Sequence, residues 1–169
     1  MPQWPTGSRL ERMILRLTVQ RDCLDFVANH LLTVPGGIIE LGLGKGRTYD
    51  HLRKLFPRRK ILAFDRELHA MPDCLPPDKD LVLGEFTETL ANTLDLLPQP
   101  AALIHADVGS EKRDRDTQLV VGLAPLVVPI LQPGGILLTD RPWQLPQWQT
   151  LALPLSEGGW PYFGYQKPR

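Results

Sequence analysis

Three glycines at alternate positions, Gly42, Gly44 and Gly46, follow the acidic residue Glu40 and a short apolar run. Glycine has no Cβ, so it tolerates positive φ angles and lets the backbone come close to a ligand. A helix that begins after such a loop directs its free N–H groups and the positive end of its dipole at the same place. The spacing therefore predicts a loop that binds a nucleotide cofactor.

Polar residues also end the four apolar runs that follow this loop. Asp65 ends the first, Glu85 and Phe86 follow the second, Asp107 ends the third and Asp140 the fourth. In an open sheet of parallel strands these positions meet in the crevice at the carboxyl ends of the strands, where ligands bind. We therefore expect them to share one site with the glycine loop.

The elements that must position these residues follow from the apolar pattern. After the capping-box pattern Ser8-x-x-Glu11, apolar residues at helical spacing predict one long amphipathic helix, or two short ones, over residues 8–32. Short apolar strands alternate with helices and indicate a parallel sheet covered on both faces. The strands are predicted at 38–41, 61–64, 81–83, 101–106, 136–139, 148–153 and 162–166, and the helices at 48–56, 87–97 and 116–131.

The predicted fold is a single α/β domain over residues 1–169. Residues 1–35 form a helical N-terminal segment, and residues 36–169 form a doubly wound, Rossmann-like core. Its sheet has seven strands and is mostly parallel, with helices on both faces. The last two strands have a short connection, which permits an antiparallel C-terminal strand pair.

The composition narrows the class of protein. The 169 residues are enough for one domain with a substantial core, and the net charge is zero, which argues against a protein that mainly grips phosphate backbones. The two cysteines lack metal-binding spacing and indicate reduced thiols in the cytosol. Without a signal-like start or an apolar run of roughly 20 residues, we expect a cytoplasmic protein with no membrane partner.

Two cofactors compete for the glycine loop. The dinucleotide fingerprint G-x-G-x-x-G/A requires a small third residue for close packing of the helix on the strand, and Arg47 stands there. The pattern that is present, Glu40-x-Gly-x-Gly-x-Gly46, resembles motif I of class I methyltransferases that depend on S-adenosylmethionine (SAM). Leu131-Gln-Pro-Gly-Gly-Ile136 resembles the turn that precedes strand five in the same family. The order and spacing of the matches, over about residues 37–140, favour SAM over NAD and a small bacterial enzyme.

The resemblance implies roles for the strand-end residues. Gly42, Gly44 and Gly46 would bring the backbone to SAM, and Glu40 would either hold this loop or reach the methionine amino group. Asp65 would bind the ribose hydroxyls, with Arg66 beside it as the alternative. Glu85 and Phe86 would contact the adenine, unless they act as a helix cap and a core aromatic. Asp107 would lie near the methionine part of SAM and the transferred methyl group.

The resemblance also yields two catalytic candidates, Asp107 and His105. Either could position the reactants or take a proton from the acceptor, although a histidine on a buried strand is at least as readily a satisfied core residue. Tyr49, Trp143 and Trp160 are candidates, by composition, for shielding the sulfonium.

A metal is not expected. Catechol-type relatives bind a divalent cation with carboxylates at places like those of Asp107 and Asp140 and with an adjacent Asn, where this chain has Arg141. A guanidinium repels a cation but pairs well with a carboxylate, so it suits an acidic acceptor.

We therefore predict a methyltransferase that acts on a small-molecule acceptor, with acidic molecules favoured. No interleaving of aromatic and basic residues supports a nucleic-acid partner. The N-terminal helix is expected to cover one side of the pocket and to provide the contact for a homodimer or higher homo-oligomer. A non-catalytic SAM-binding regulator and an NAD-linked oxidoreductase are the rival functions.

Overall fold

The computed structural model describes residues 4–110, 113–156 and 159–169. A π-helical turn at Val27–Leu31 follows the first helix, and short 3₁₀ turns lie at Pro72–Cys74, Asp78–Asp80 and Leu90–Asn92. The helices are α1 (Arg9–Phe26), α2 (Arg47–Leu55), α3 (Phe86–Thr89), α4 (Thr93–Leu96) and α5 (Arg113–Ile130). The strands are β1 (Ile38–Leu41), β2 (Ile61–Asp65), β3 (Leu81–Leu83), β4 (Ala101–Ala106), β5 (Leu131–Thr139), β6 (Gln149–Thr150) and β7 (Phe163–Gln166).

The strands form one sheet in the order β3-β2-β1-β4-β5-β7-β6. Strands β1 to β5 pair in parallel, whereas β7 is antiparallel to both β5 and β6. The chain therefore reverses its direction across the sheet after β3, and the crevice opens between the ends of β1 and β4. The predicted fold class is confirmed.

The two faces of the sheet are covered by different helices. Along β1, Ile38 packs with residues of α1 and α2, and its neighbour Ile39 packs with residues of α5. This alternation follows from the two-residue period of a strand. Glu40 and its register partner on β4, His105, therefore face the α1 and α2 side.

Helix α1 begins as its capping pattern predicts. The backbone N–H of Glu11 donates to Ser8 Oγ (3.2 Å), and the Ser8 N–H donates to Glu11 Oε2 (2.7 Å). These reciprocal bonds satisfy two of the N–H groups that a helix start leaves unpaired. In the part of the chain that the structure describes, no helix is both long and apolar enough to cross a membrane.

Several predicted elements have different bounds or are divided. The helix expected over 87–97 is divided into α3, a 3₁₀ turn and α4, whereas α5 continues through Pro125 and Pro129. Strand β5 begins at Leu131 rather than residue 136, because the Pro-Gly-Gly segment forms an irregularity in a strand that is already paired with Ala101. Strand β6 covers only Gln149–Thr150 of the predicted 148–153.

Candidate active site

A cavity of about 460 Å³ lies across the carboxyl ends of the parallel strands; we call it the cofactor cavity. Loops after β1, β2, β3 and β4 form its floor, and α1 and α5 complete its walls. It brings together seven of the predicted site residues: Gly42, Gly44, Asp65, Arg66, Glu85, Phe86 and Asp107. Its further lining includes Met13, Arg16, Leu17, Gln20, Lys45, Thr48, Gly109, Ser110, Arg115, Asp116 and Leu119.

The glycine loop passes close to the end of β4 and leaves an open side. Gly42 has φ +87°, and a Cβ there would lie 2.3 Å from the Asp107 carbonyl oxygen. Gly44 has φ +52°, and no heavy atom lies within 4 Å of where its Cβ would be. The first glycine is therefore required by packing, and the second borders space that a ligand can fill.

Gly46 does not line the cofactor cavity, although it was predicted to bind the cofactor. It is the N-cap residue of α2, with φ +80°, and a Cβ there would lie 2.6 Å from Cys74 Cβ. Its role in the structure is to let α2 begin, so that the N-terminus of that helix faces the loop.

Asp65 is held by the loop that it faces. Its Oδ2 accepts a hydrogen bond from the Gly44 N–H (2.8 Å), and its Oδ1 accepts one from the Arg66 N–H (2.7 Å). A carboxylate has about four acceptor sites, so two backbone donors leave capacity for hydroxyl groups. The side chain is thus oriented at the cavity and able to bind a diol, which fits a ribose.

Glu85 and Phe86 border the same cavity at the end of β3. Glu85 occupies the N-cap position of α3, but its side chain makes no capping bond, so its carboxylate is not used as a helix cap. Arg66 Nη1 lies 3.7 Å from Glu85 Oε1, and both side chains are exposed. The half-buried Phe86 ring provides apolar surface beside these polar groups. This arrangement fits an adenine ring.

His105 and Glu40 lie beneath the site, inside the core. His105 Nδ1 is 2.6 Å from Glu40 Oε2, and His105 Nε2 bonds the Tyr162 hydroxyl. Glu40 Oε1 accepts from the Thr48 hydroxyl on α2. Glu40 and His105 are fully buried and do not line the cofactor cavity. Glu40 thus contacts the first turn of α2, directly after the glycine loop.

The buried pair has shifted protonation equilibria. Burial raises the pKa of Glu40 and outweighs the opposing contributions of His105 and Thr48. Burial alone would lower the pKa of His105, but the Glu40 carboxylate raises it overall. Since both ring nitrogens of His105 have partners inside the core, the geometry favours the satisfied core histidine over the general base.

Asp107 is fixed by two side chains of α1. Arg16 Nη2 lies 2.7 and 2.8 Å from the two carboxylate oxygens, and Gln20 Nε2 donates to Oδ2 at 2.9 Å. Burial lowers the pKa of Arg16, but the Asp107 carboxylate outweighs it and raises the pKa overall. Asp107 thus lines the cavity in a fixed orientation, as a positioning residue would.

A second group of charges follows β5. Asp140 accepts from the N–H groups of Val108 (3.3 Å) and Gly109 (3.1 Å). Arg141 lies 3.2 Å from Asp140 Oδ2 and 3.0 Å from Asp116 Oδ2. Burial, and secondarily the Asp107 charge, raise the pKa of Asp140 to about 7. Gly109 is required here because a Cβ would lie 2.1 Å from Asp140 Oδ2.

Asp107 and Asp140, the two carboxylates considered for a metal site, are paired with guanidinium groups. Arg16 pairs with Asp107, and Arg141 pairs with Asp140. Within residues 4–110, 113–156 and 159–169, no cluster of three or more His, Cys, Asp or Glu side chains is arranged to hold a metal ion. The expectation that no metal is used stays a prediction.

A second cavity of about 530 Å³, here called the arginine cavity, adjoins the first. The two share Met13, Arg16, Gly109 and Ser110. Its remaining lining is Trp4, Arg9, Arg12, Asp140, Arg141 and Trp160.

Its aromatic wall joins the two ends of the chain. The rings of Trp4 and Trp160 are 5.1 Å apart and nearly perpendicular, at 76°. The Arg141 guanidinium lies 5.0 Å from the centre of the Trp4 ring. Of the three predicted aromatic shields, Trp160 borders this cavity, whereas Tyr49 and Trp143 are buried. Trp143 donates from Nε1 to Thr139 Oγ1 (3.1 Å).

Sequence reasoning expected α1 to cover one side of the pocket, but it did not identify Arg16 and Gln20 as the side chains that contribute to the site. Arg16 and Gln20 are four residues apart, so they lie on one face of the helix. Gln20 is almost fully buried, at 2% exposure, on a helix whose other buried residues are apolar. Two polar residues at this spacing beside the apolar stripe were the available signal.

Comparison with known proteins identifies the family. A sequence profile described as S-adenosyl-L-methionine methyltransferase matches residues 7–167. No curated protein sequence matches the chain. The crystal structure of an S-adenosyl-L-methionine methyl transferase from Silicibacter pomeroyi DSS-3 is 35% identical, with a TM-score of 0.85 over 96% of this chain and 99% of that one.

More distant structures share the fold. An rRNA methylase from Streptococcus thermophilus is 16% identical, with a TM-score of 0.53 over 97% of this chain and 99% of that chain. A putative caffeoyl-CoA O-methyltransferase from Staphylococcus aureus is 15% identical, with a TM-score of 0.54 over 97% and 86%. The glycine loop, the carboxylate after β2 and the family match agree on SAM, and the NAD alternative is wrong. The chain belongs to the S-adenosyl-L-methionine methyltransferase family, and SAM is its cofactor.

Proposed function

We propose that this methyltransferase acts on a small-molecule acceptor bound in the arginine cavity. The observation that carries the proposal is the position of this cavity, which shares Gly109 and Ser110 with the cofactor cavity. Its volume of about 530 Å³ lies in the range of small-molecule sites. A molecule there would lie next to the methionine end of SAM, beside Asp107.

The chain's residues would mainly bind and align the reactants. Gly42 and Gly44 would admit SAM to the loop, Asp65 would hold its ribose, and Phe86 would provide the apolar surface for its adenine. When bound, SAM supplies a methyl group on a sulfonium, whose carbon–sulfur bond breaks with the electron pair kept by sulfur as an acceptor lone pair bonds to the carbon. Alignment of two held reactants is itself a large source of rate acceleration.

Asp140 is the carboxyl group that we assign to proton transfer, where the acceptor carries a proton. It lines the arginine cavity, and its pKa is raised to about 7. A general base is most effective when its pKa is near the pH at which the enzyme works. Asp107 would instead orient the site, because Arg16 and Gln20 already hold its carboxylate.

Turnover measurements test the proposal. The purified protein would be incubated with SAM and separate panels of acidic small molecules, neutral small molecules, peptides and RNA, and release of S-adenosylhomocysteine would be measured. We expect turnover with a small acceptor and much slower turnover in the Asp65→Ala variant at the same SAM concentration. Turnover only with peptide or RNA would contradict the proposal. Tight binding of S-adenosylhomocysteine without turnover in any panel would favour the non-catalytic regulator.

We also propose the self-association expected through α1. Leu10, Met13 and Ile14 follow helical spacing and are 70%, 44% and 55% exposed. Contiguous exposed apolar side chains of this kind often mark a protein–protein contact. Sedimentation of the wild type and an Ile14→Glu variant checks this, and a monomeric wild type would contradict it. A cytoplasmic location and a bacterial source stay predictions.

A further inference from the structure

We propose that the arginine cavity selects a planar aromatic anion as the methyl acceptor. This inference rests on the proposed function, because it names the substrate class of the same site. It assigns the recognition of negative charge to Arg12 rather than Arg141, and the recognition of the planar group to Trp160 and Trp4.

The charge argument begins with the arginines that already have partners. Arg141 was expected to pair with an acidic acceptor, but it pairs with Asp116 and Asp140 and also donates to the Ser110 carbonyl oxygen (2.9 Å). Arg16 is paired with Asp107. Their charges are therefore matched within the protein.

Arg12 differs from these two. It lines the arginine cavity on the exposed side of α1, and among the residues that the structure describes no carboxylate lies within ion-pair distance of it. The only carboxylate in the lining of this cavity, as far as the described residues go, is Asp140, which Arg141 contacts. The cavity thus presents positive charge that an anionic ligand can match, and a guanidinium can bind either a carboxylate or a phosphate through two parallel hydrogen bonds.

The planar part of the ligand is inferred from the aromatic wall. Trp4 and Trp160 both line the cavity, and their rings meet edge to face, 5.1 Å apart. The Arg141 guanidinium lies over the Trp4 ring, 5.0 Å from its centre. Offset and edge-to-face contacts of this type favour another aromatic ring over an aliphatic chain.

Binding measurements on the full chain test this inference. Protein saturated with S-adenosylhomocysteine would be titrated by calorimetry with 4-hydroxybenzoate, phenyl phosphate and the neutral 4-hydroxybenzamide. We expect at least one anion to bind about 10-fold more tightly than the amide, and the two anions distinguish a carboxylate from a phosphate ligand. Cyclohexanecarboxylate, which is not planar, should bind more weakly than 4-hydroxybenzoate.

Two variants and a matched control locate the site. Arg12→Ala should weaken binding of the preferred anion about 10-fold, the loss of roughly one charged hydrogen bond. Trp160→Leu should remove most of the preference for the aromatic over the cyclohexyl anion. Arg58→Ala, at an exposed turn before β2 on the opposite edge of the sheet, should change neither.

Three results would overturn the inference: equal affinity for the amide and the anions, no binding of either anion, or equal effects of Arg12→Ala and Arg58→Ala. The same variants would be titrated with S-adenosylhomocysteine, whose affinity should be unchanged. If the wild type bound no S-adenosylhomocysteine, the proposed function would fail, and titration of the anions alone would still decide whether the arginine cavity is an anion site.

Discussion

The two ends of the active site are built in opposite ways. At the cofactor end, β1, β2 and β3 present glycine backbone and the carboxylates of Asp65 and Glu85 to the cavity. At the proposed acceptor end, beside β4 and β5, Asp107 is paired with Arg16, and Asp116 and Asp140 share Arg141. The first end is open to hydroxyl and amine donors, whereas the carboxylates of the second end are already paired with guanidinium groups and lie beside further basic residues.

The difference shows which interactions each end leaves for its ligand. Asp65 is held by backbone N–H groups, which orient it without cancelling its charge. Asp107 is held by the guanidinium of Arg16, 91 positions away in the chain, which matches its charge. Hydroxyl and amine groups of SAM would therefore meet free carboxylate oxygens at the cofactor end. A methyl acceptor in the arginine cavity would instead meet arginine side chains. One buried chain, Thr48–Glu40–His105–Tyr162, runs from the edge of the cofactor cavity into the core.

The largest effect on stability is expected from breaking that buried chain with His105→Leu. The change leaves the buried Glu40 carboxylate without its main partner, which costs about 3 to 5 kcal/mol for a buried ion pair. Urea unfolding measures the loss. Affinity for S-adenosylhomocysteine should change little in protein that remains folded, because His105 does not line the cofactor cavity.

The double variant Glu40→Leu with His105→Leu is the control. Replacing both members of a buried pair with apolar residues is often close to neutral, so it should recover part of the stability. If His105→Leu unfolded like the wild type but abolished turnover, the catalytic role first predicted for His105 would be right.

The cofactor end is tested most directly by Asp65→Ala. The variant loses a carboxylate that orients the loop through Gly44 and would bind two ribose hydroxyls, and we expect about 100-fold weaker S-adenosylhomocysteine binding. Calorimetry measures this. Asp65→Asn keeps one acceptor oxygen and should fall between the two. Unchanged affinity in Asp65→Ala would place the cofactor elsewhere.

The cofactor end could be predicted from sequence because its signals are local. The glycine spacing from Gly42 to Gly46 and the carboxylate after the next strand require only that strands end at one edge. The bounds of β1, β3 and β4 were also predicted correctly, because each strand is a short apolar run that is buried or packed against the core.

The acceptor end could not be predicted in the same way. Arg16 reaches Asp107, and Trp4 reaches Trp160, only because α1 lies over the sheet. Such contacts depend on packing between distant segments, which periodicity does not specify. Arg141 borders the arginine cavity, but one of its partners is Asp116 on α5, which sequence spacing could not indicate.

The acceptor end is tested by a double-mutant cycle on Arg16 and Asp107. The side chains are 30% and 15% exposed, so solvent weakens their attraction, and we expect a coupling of about 2 kcal/mol. Arg16→Met, Asp107→Asn and the double variant would be compared by urea unfolding. A coupling below about 0.5 kcal/mol would mean that α1 is not held to the site by this pair.

The raised pKa of Asp140 makes stability depend on pH. In the folded state the pKa is about 7, above the ordinary value of 3.8, so the folded protein binds more protons between these values. The contribution of Asp140 to stability therefore falls as pH rises through this window and is constant above it.

The difference between wild type and Asp140→Asn isolates this contribution. We expect the wild type to lose on the order of 2 kcal/mol relative to the variant between about pH 5 and pH 7. Urea unfolding at several pH values measures it. Parallel pH profiles would show that Asp140 is ionised normally, which would also remove its assigned role in proton transfer.

The smallest expected effect on stability is that of a change at Thr48, which borders only one of the two cavities. Thr48→Val preserves shape but removes the hydroxyl that donates to Glu40 Oε1, at the point where the buried chain meets α2. Because the acceptor is a buried carboxylate, we expect a loss of about 1.5 kcal/mol in unfolding free energy. Thr18→Val, at an exposed position on α1, should stay within about 0.5 kcal/mol of the wild type.

Thr48 borders the cofactor cavity and not the arginine cavity, so S-adenosylhomocysteine should bind slightly more weakly while the affinity for 4-hydroxybenzoate is unchanged. An equal decrease in affinity for both ligands would contradict this and would show that Thr48 affects the arginine cavity as well as the cofactor cavity.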